Sequence, residues 1–280
     1  MWRVAAASCV GTDHRERDMA CQDAHNYAVL RISMTIERAG ELISASDPVF
    51  VGVVSDGAGS ASHAGLGARQ VCDSVCSVIS RQLSRSQRQN IAVRFDHEFG
   101  CLLVDSVQQD LARLAVQTGC LFEDLAATML VCVATATASF FTQCGDGVIV
   151  VRDPGSGEFE WVVWPEHQGA INETTFVTSP DWPREFAWVE RAGVADVALL
   201  TDGMQHLALR LAAREVYQPF FSGLFSSIRA ASVETVPALS GQLERHLNSD
   251  RVNARTNDDK TLVLASFMDN LPSESAPDFR

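Results

Sequence analysis

The stretch Val51-Gly-Val-Val-Ser-Asp56-Gly57-Ala-Gly59-Ser60 joins an apolar, β-branched run to an aspartate and a glycine-rich turn. Such a run suits a buried strand, and Asp-Gly ends it by favouring a turn, so the carboxylate is delivered at the rim of a rigid sheet. The pattern recurs where Asp196-Val-Ala-Leu-Leu-Thr-Asp202-Gly203-Met204 runs from apolar residues into Asp-Gly. It is reversed in Asn257-Asp258-Asp259-Lys260-Thr261-Leu-Val-Leu-Ala265, where paired carboxylates open a strand. One Asp-Gly in isolation reads as a hairpin or turn. Three acidic strand ends, distant in sequence, favour convergence on one cation site. Hard cations such as magnesium and manganese take oxygen ligands and retain several waters.

The 280 residues, 46% of them hydrophobic, suffice for one large domain with a substantial core. A formal charge of −13 and a pI near 4.9 leave no basic footprint for nucleic acid or an anionic membrane. An acidic chain can still accept a phosphate where bound metal inverts the local sign. The eight cysteines contain no CxxC pair and sit mostly in apolar stretches, so they read as reduced, buried thiols of a cytoplasmic protein. Cys72 and Cys76 share a helix face but lack a His or a second pair nearby. The apolar run 4–10 is too short to span a bilayer, and no other segment reaches that length.

Strands are expected at 4–10, 26–36 and 49–55, with 11–25 as a long polar loop. From His63 the period changes to that of a helix, with Leu66, Val71, Val75, Val78, Ile79 and Leu83 on one face. A second helix is expected near 95–116, striped by Phe99, Leu102, Leu103, Val107, Leu111 and Leu114, with 84–90 as the link. Strands then follow near 126–135, 138–144, 147–153, 158–164 and 173–178, read as an antiparallel meander. The strand into Asp202, helical stretches near 206–226 and 232–247, and a last strand at 260–267 complete an α+β pattern with helices packed on sheets. Residues 1–268 read as the folded domain and 269–280, rich in Pro, Ser and acid, as a disordered tail.

In order along the chain stand Gly11-Thr-Asp-His14, Cys21-Gln22-Asp23-Ala24, Ser55-Asp56-Gly57-Ala-Gly59-Ser60, Ala127-Thr128, Cys144-Gly145-Asp146-Gly147, Leu200-Thr201-Asp202-Gly203-Met204 and Asp258-Asp259-Lys-Thr261. This series resembles the metal-dependent protein phosphatases of type 2C, the PPM family, and most closely its bacterial branch with the Gly-Thr-x-His and Cys-Gln-Asp-Ala opening. The resemblance implies a four-layer α-β-β-α sandwich, two antiparallel sheets flanked by helix pairs. It implies a protein serine/threonine phosphatase that uses two Mg²⁺ or Mn²⁺ ions ~4 Å apart, with a water between them attacking phosphorus and no covalent phosphoenzyme. Its substrate would be a phosphoprotein, with a serine/threonine kinase opposing it.

Carried over by position, the resemblance makes Asp56 the bridging ligand of both ions and the Gly57 carbonyl a ligand of one. Asp202 and Asp258 hold the other ion. Asp23 acts beside the cluster through a metal-bound water, and Asp146 with Asp202 marks the place of a third, looser ion in some relatives. Asp259 reads as a strand cap or hydrogen-bonding partner. Two positions depart from better-known members: Gln22 stands where many have Glu, and Asp18 where they have a phosphate-binding Arg. Weaker metal affinity is expected, and His14 or Arg17 is left as the phosphate ligand, His14 also as a general acid or as a brace for its loop. His25 and His63 read as structural, and Cys21 as no nucleophile. The alternatives are a phosphatase-like regulator or scaffold that has lost turnover, and a hydrolase of small phosphate esters.

Overall fold

The computed structural model describes residues 1–38, 40–45, 48–165, 174–232 and 234–268. The element order is β1 (Trp2–Cys9), α1 (Thr12–Glu16), β2 (Ala24–Leu30), β3 (Met34–Arg38), β4 (Glu41–Ala45), β5 (Val49–Ser55) and α2 (Ala64–Gln89). Then come β6 (Val93–Arg94), α3 (His97–Thr118), β7 (Met129–Ala134), β8 (Ala138–Cys144), β9 (Val148–Arg152), β10 (Glu160–Val163), α4 (Trp182–Glu185) and β11 (Ala187–Ala192). The last third carries β12 (Asp196–Leu200), α5 (Gln205–Ala208), β13 (Leu209–Arg210), β14 (Glu215–Val216), α6 (Gln218–Ala230), α7 (Leu239–Leu247), α8 (Asp250–Asn253) and β15 (Lys260–Phe267).

Two antiparallel five-stranded sheets form the centre, ordered β1-β15-β12-β9-β10 and β11-β8-β7-β5-β2. Strand alternation divides the core into three slabs. Val49, Val51 and Val53 of β5 point to α2 and α3, where they meet Val71, Val75, Ile79, Leu103, Val107 and Leu111. Phe50 and Val54 point the other way, into the slab between the sheets with Leu130, Phe141, Ile149, Leu199 and Val263. Beyond the other sheet, Ala5, Ala7 and Leu264 pack on Phe221 and Phe225 of α6 and Leu243 of α7. Three slabs between four layers make the expected α-β-β-α sandwich.

Local differences from the sequence reading have simple causes. The polar stretch 84–90 is not a link: α2 runs through it to Gln89, and Asn90 ends it in the left-handed region at φ 50°. Polar residues there lie on the solvent side of a helix whose Leu83 and Ser86 still face inward. The loop 11–25 holds the short helix α1. The strand expected over 26–36 is two strands, β2 and β3, in different sheets. The meander is divided, since β7 and β8 belong to one central sheet and β9 and β10 to the other. Of 173–178, residue 173 lies outside the described residues, and 174–178 form no strand. The edge strand of the β7–β8 sheet is instead β11, whose half-exposed Ala-Trp-Val-Glu-Arg-Ala has no apolar run to mark it. In α3 the stripe is shifted by burial of Val104, and Leu102 is solvent-facing. The tail 269–280 lies outside the described residues. No helix among the described residues is long and apolar enough to cross a membrane.

Candidate metal centre

Register within each sheet, and the packing of the two sheets on each other, bring the acids together. Ala24 of β2 pairs with Ser55 of β5, so Asp23 and Asp56 leave neighbouring strands at the same end. In the facing sheet Leu200 pairs with both Val148 and Leu262, which sets Asp202 beside the Asp146 turn on one side and the entry to β15, with Asp258 and Asp259, on the other. Asp23, Asp56, Asp146, Asp202 and Asp258, five acids from five separate segments, thus occupy one end of the sandwich, with Asp259 next to the last of them. Two glycines permit the close approach: a Cβ at Gly203 would collide with the Asp259 carbonyl, and one at Gly11 with the backbone of Asn257 and Asp258.

Threonines fix the carboxylates. Thr201 Oγ1 donates to Asp23 Oδ2 at 2.8 Å and accepts from the Thr261 amide at 3.0 Å, tying the two sheets together. Thr128 Oγ1 accepts from the Asp56 amide at 2.9 Å, and the Thr128 amide donates to the Asp56 carbonyl at 2.8 Å. Thr174 donates to Asp146 Oδ2 at 2.7 Å. Thr128, Thr201 and Thr261 stand inside the sequence motifs and Thr174 far from any, and only the fold reveals what their hydroxyls hold.

The electrostatics call for a cation. Asp23 is buried, and its Oδ1 has no hydrogen-bond partner. Burial raises its pKa to about 7, against the pull of its contacts with Asp56 and Thr201. Asp56 is pushed well above the usual carboxylate range by burial and by the charges of Asp23 and Asp202. Asp202 is raised to about 6 by burial, then by Asp146 and Asp258. Asp258, at the solvent side, is raised by partial burial and held back by the Asp259 amide. No Arg or Lys among the described residues pairs with any of these five acids. An all-oxygen, anionic set with an unpartnered buried oxygen fits magnesium or manganese.

Asp259 is a hydrogen-bonding hub, in line with its sequence reading. Its Oδ1 accepts from the Gly11 amide at 2.6 Å, and its Oδ2 from the Gln22 amide at 2.5 Å. Oδ2 also lies 3.0 Å from His14 Nδ1. The Asp13 amide bonds to the Asn257 carbonyl at 3.0 Å, so α1 is docked against the entry to β15. His14 is therefore both braced and brought to the edge of the cluster, where its charge would bear on Asp258. Arg17 is exposed and pairs with Asp13 at 2.9 Å, joined by no ion pair to the five acids among the described residues. Gln22 keeps a buried, unpartnered Oε1. His25 bonds to Ser8 at 2.7 Å, a structural contact. Burial, then the neighbouring charges of Asp23 and Asp259, push the Cys21 thiol up, which disfavours the thiolate that a nucleophile would need.

Residues 10–248 match the model of the family described as Protein phosphatase 2C. The chain belongs to that family. Among curated proteins, Serine/threonine-protein phosphatase 3 of Escherichia coli strain K12 is 31% identical over 265 residues, covering 94% of this chain and 98% of its own. Among solved structures, one described as a bacterial serine phosphatase superposes with a TM-score of 0.59 at 12% identity, over 97% of this chain and 100% of that one. The catalytic domain of the serine threonine protein phosphatase PstP, in complex with two manganese ions, gives 0.55 at 14% identity, over 96% and 99%. Those two structures share the protein phosphatase 2C fold with this chain.

Proposed function

We propose that this chain is a magnesium- or manganese-dependent serine/threonine phosphatase with two ions held by Asp56, the Gly57 carbonyl, Asp202 and Asp258. Asp146, beside Asp202, offers a third and looser position. The observation that carries the reading is the buried Asp23 Oδ1, left without a partner among carboxylates that no Arg or Lys of the described residues neutralises. A 31% identical relative named as a serine/threonine-protein phosphatase supports the substrate class.

Bound divalent cations supply an acidified water near neutral pH and countercharge for the phosphoryl oxygens. Asp23, anchored through Oδ2 by Thr201, keeps Oδ1 to accept a hydrogen bond from the attacking water and orient it. Asp259 holds His14 Nδ1 and so fixes the ring, leaving Nε2 to meet a phosphate oxygen or give a proton to the departing seryl or threonyl oxygen. Arg17, on the rim and paired to Asp13, adds attraction for phosphate once that pair opens. The substrate is a phosphoprotein and the opposing enzyme a serine/threonine kinase. A cytoplasmic setting is supported by eight cysteines that are all free thiols.

The test is phosphate release from a phosphothreonine peptide across Mn²⁺ and Mg²⁺ titrations, for the unaltered chain and Asp202→Asn, with small phosphate esters alongside. Metal-dependent release from the peptide, lost in the variant, is expected. Release from small esters alone would make it an ester hydrolase. No release from folded protein that binds the ions would make it a regulator.

A further inference from the structure

Outside the acidic cluster, one group of side chains has the makings of a second and chemically different metal site. His63, Cys120 and Asp124 each present one donor atom within 4.8 Å of the other two. We propose that they bind a borderline divalent cation of the zinc class, through one imidazole nitrogen, one thiolate and one carboxylate oxygen. The donor set decides the class: thiolate and imidazole suit zinc, whereas magnesium and manganese prefer the oxygens of the first centre.

Three backbone devices fix the geometry. The His63 amide donates to the Asp124 carbonyl at 2.9 Å, locking the start of α2 to the turn that carries Asp124. Cys120 follows Gly119, whose left-handed φ of 72° ends α3, and the Cys120 amide returns to the Ala115 carbonyl at 3.1 Å. Asp124 Oδ2 accepts from the Leu121 amide at 2.9 Å, which closes the turn between the two ligands. Zinc bonds of about 2.0–2.3 Å place tetrahedral ligands roughly 3.3–3.8 Å apart. Closing the remaining gap of about 1 Å is within the rotamer freedom of surface side chains. The hydroxyl of Ser62 lies 3.0 Å from His63 Nδ1, leaving Nε2 without a hydrogen-bond partner among the described residues. A metal-binding imidazole usually has one nitrogen held by an outer hydrogen bond and the other free for the ion, and His63 has one nitrogen of each kind. Thr118 Oγ1, 3.1 Å from Cys120 Sγ, gives its proton to the Leu114 carbonyl at 2.8 Å and would have to turn from it to donate to a thiolate.

The placement gives this site a purpose. Its two ligand-bearing segments flank the turn that delivers Asp56: Gly57 abuts the Ala64 backbone, where a Cβ would stand 2.6 Å from the carbonyl carbon. On the other side the Ala58 amide donates to the Ala126 carbonyl at 2.9 Å. A cation held by His63, Cys120 and Asp124 therefore staples both walls of that turn.

Cobalt(II), a spectroscopic stand-in for zinc, is titrated into the reduced full-length chain while the near-ultraviolet thiolate-to-cobalt band is followed. The oxygen ligands of the first centre cannot produce this band. It is expected to appear, to be bleached by Zn²⁺, and to vanish in Cys120→Ser. His63→Ala and Asp124→Asn should each weaken cobalt binding by about tenfold or more. Cys101→Ser, which alters the other thiol beside a histidine, and Asp202→Asn should leave the band intact. Absence of the band in folded, reduced protein, its survival in Cys120→Ser, or unchanged affinity in His63→Ala would overturn the proposal.

Discussion

Strand β12 carries an aspartate at one end and delivers another just past the other, and the two have opposite fates. Asp196 is fully buried and fully answered: Arg152 Nε and Arg229 Nη1 each reach its Oδ2 at 2.6 Å, and Ser266 donates to Oδ1 at 2.6 Å. Sheet register supplies two of these partners, since Asp196 pairs with both Arg152 and Ser266. At the far end Asp202 is met by further acids, and no protein cation answers it among the described residues. A buried carboxylate with its countercharges built in serves the fold. A set of carboxylates left uncompensated makes sense only with a ligand that brings the charge.

The sharpest break in this comparison is exchange of the two acids for amides. Asp202→Asn should lower metal-dependent turnover by roughly 10²–10³-fold, the range for losing one group that stabilises developing charge, with thermal stability of the metal-free protein unchanged or raised. Asp196→Asn should do the reverse. Removing one partner of a buried ion pair costs about 3 kcal/mol, seen as a lower urea midpoint, while turnover per folded molecule is retained. Equal loss of activity from both would show that the two ends are not functionally distinct.

A smaller effect is expected at the tie between the sheets. Thr201→Val removes the hydroxyl that anchors Asp23 and should weaken Mn²⁺ affinity by roughly 10–100-fold, the usual loss for an outer-shell partner. A titration of activity against Mn²⁺ measures it, and an unchanged midpoint would remove Thr201 from the machinery.

The pH dependence separates the ends further. Asp23 and Asp202 titrate near 7 and 6 when folded and near the ordinary carboxylate value of 3.8 when unfolded. Between those values the folded state binds more protons than the unfolded one, so metal-free stability falls as pH rises from about 4 to about 7. Saturating Mn²⁺ should flatten that slope by favouring the ionised carboxylates, as urea midpoints with and without metal would reveal. The smallest effect belongs to Cys21→Ala, which should leave turnover near that of the unaltered chain. Abolished turnover with metal still bound would argue for thiol chemistry.

Much of this was legible in the chain. Apolar runs ending on Asp56 and Asp202 and the acidic pair opening β15 identified the strand ends. Alternation in β5 and the stripe of α2 identified the layers. Less visible were the elements that lack a one-sided pattern, such as β11 with its half-exposed strand and α1 in a polar loop. Polar residues 84–90 look like a link but continue α2, because a helix can run on with its polar face in water while Leu83 and Ser86 keep it on the core.

The carboxylates, the strands that deliver them and the family can all be read along the chain, because local propensity and short motifs are written in consecutive residues. Which acids are neutralised is settled by packing in three dimensions. Asp196 and Asp202 belong to one short segment; Gly203 marks Asp202 as the acid of a turn, but the neighbours of neither acid say which one meets a countercharge. Their difference comes from Arg152, Arg229 and Ser266 on one side and Asp146 and Asp258 on the other, groups that sheet register and helix packing bring in from distant parts of the chain. Electrostatic compensation depends on distance in space, and distance in space is fixed by packing.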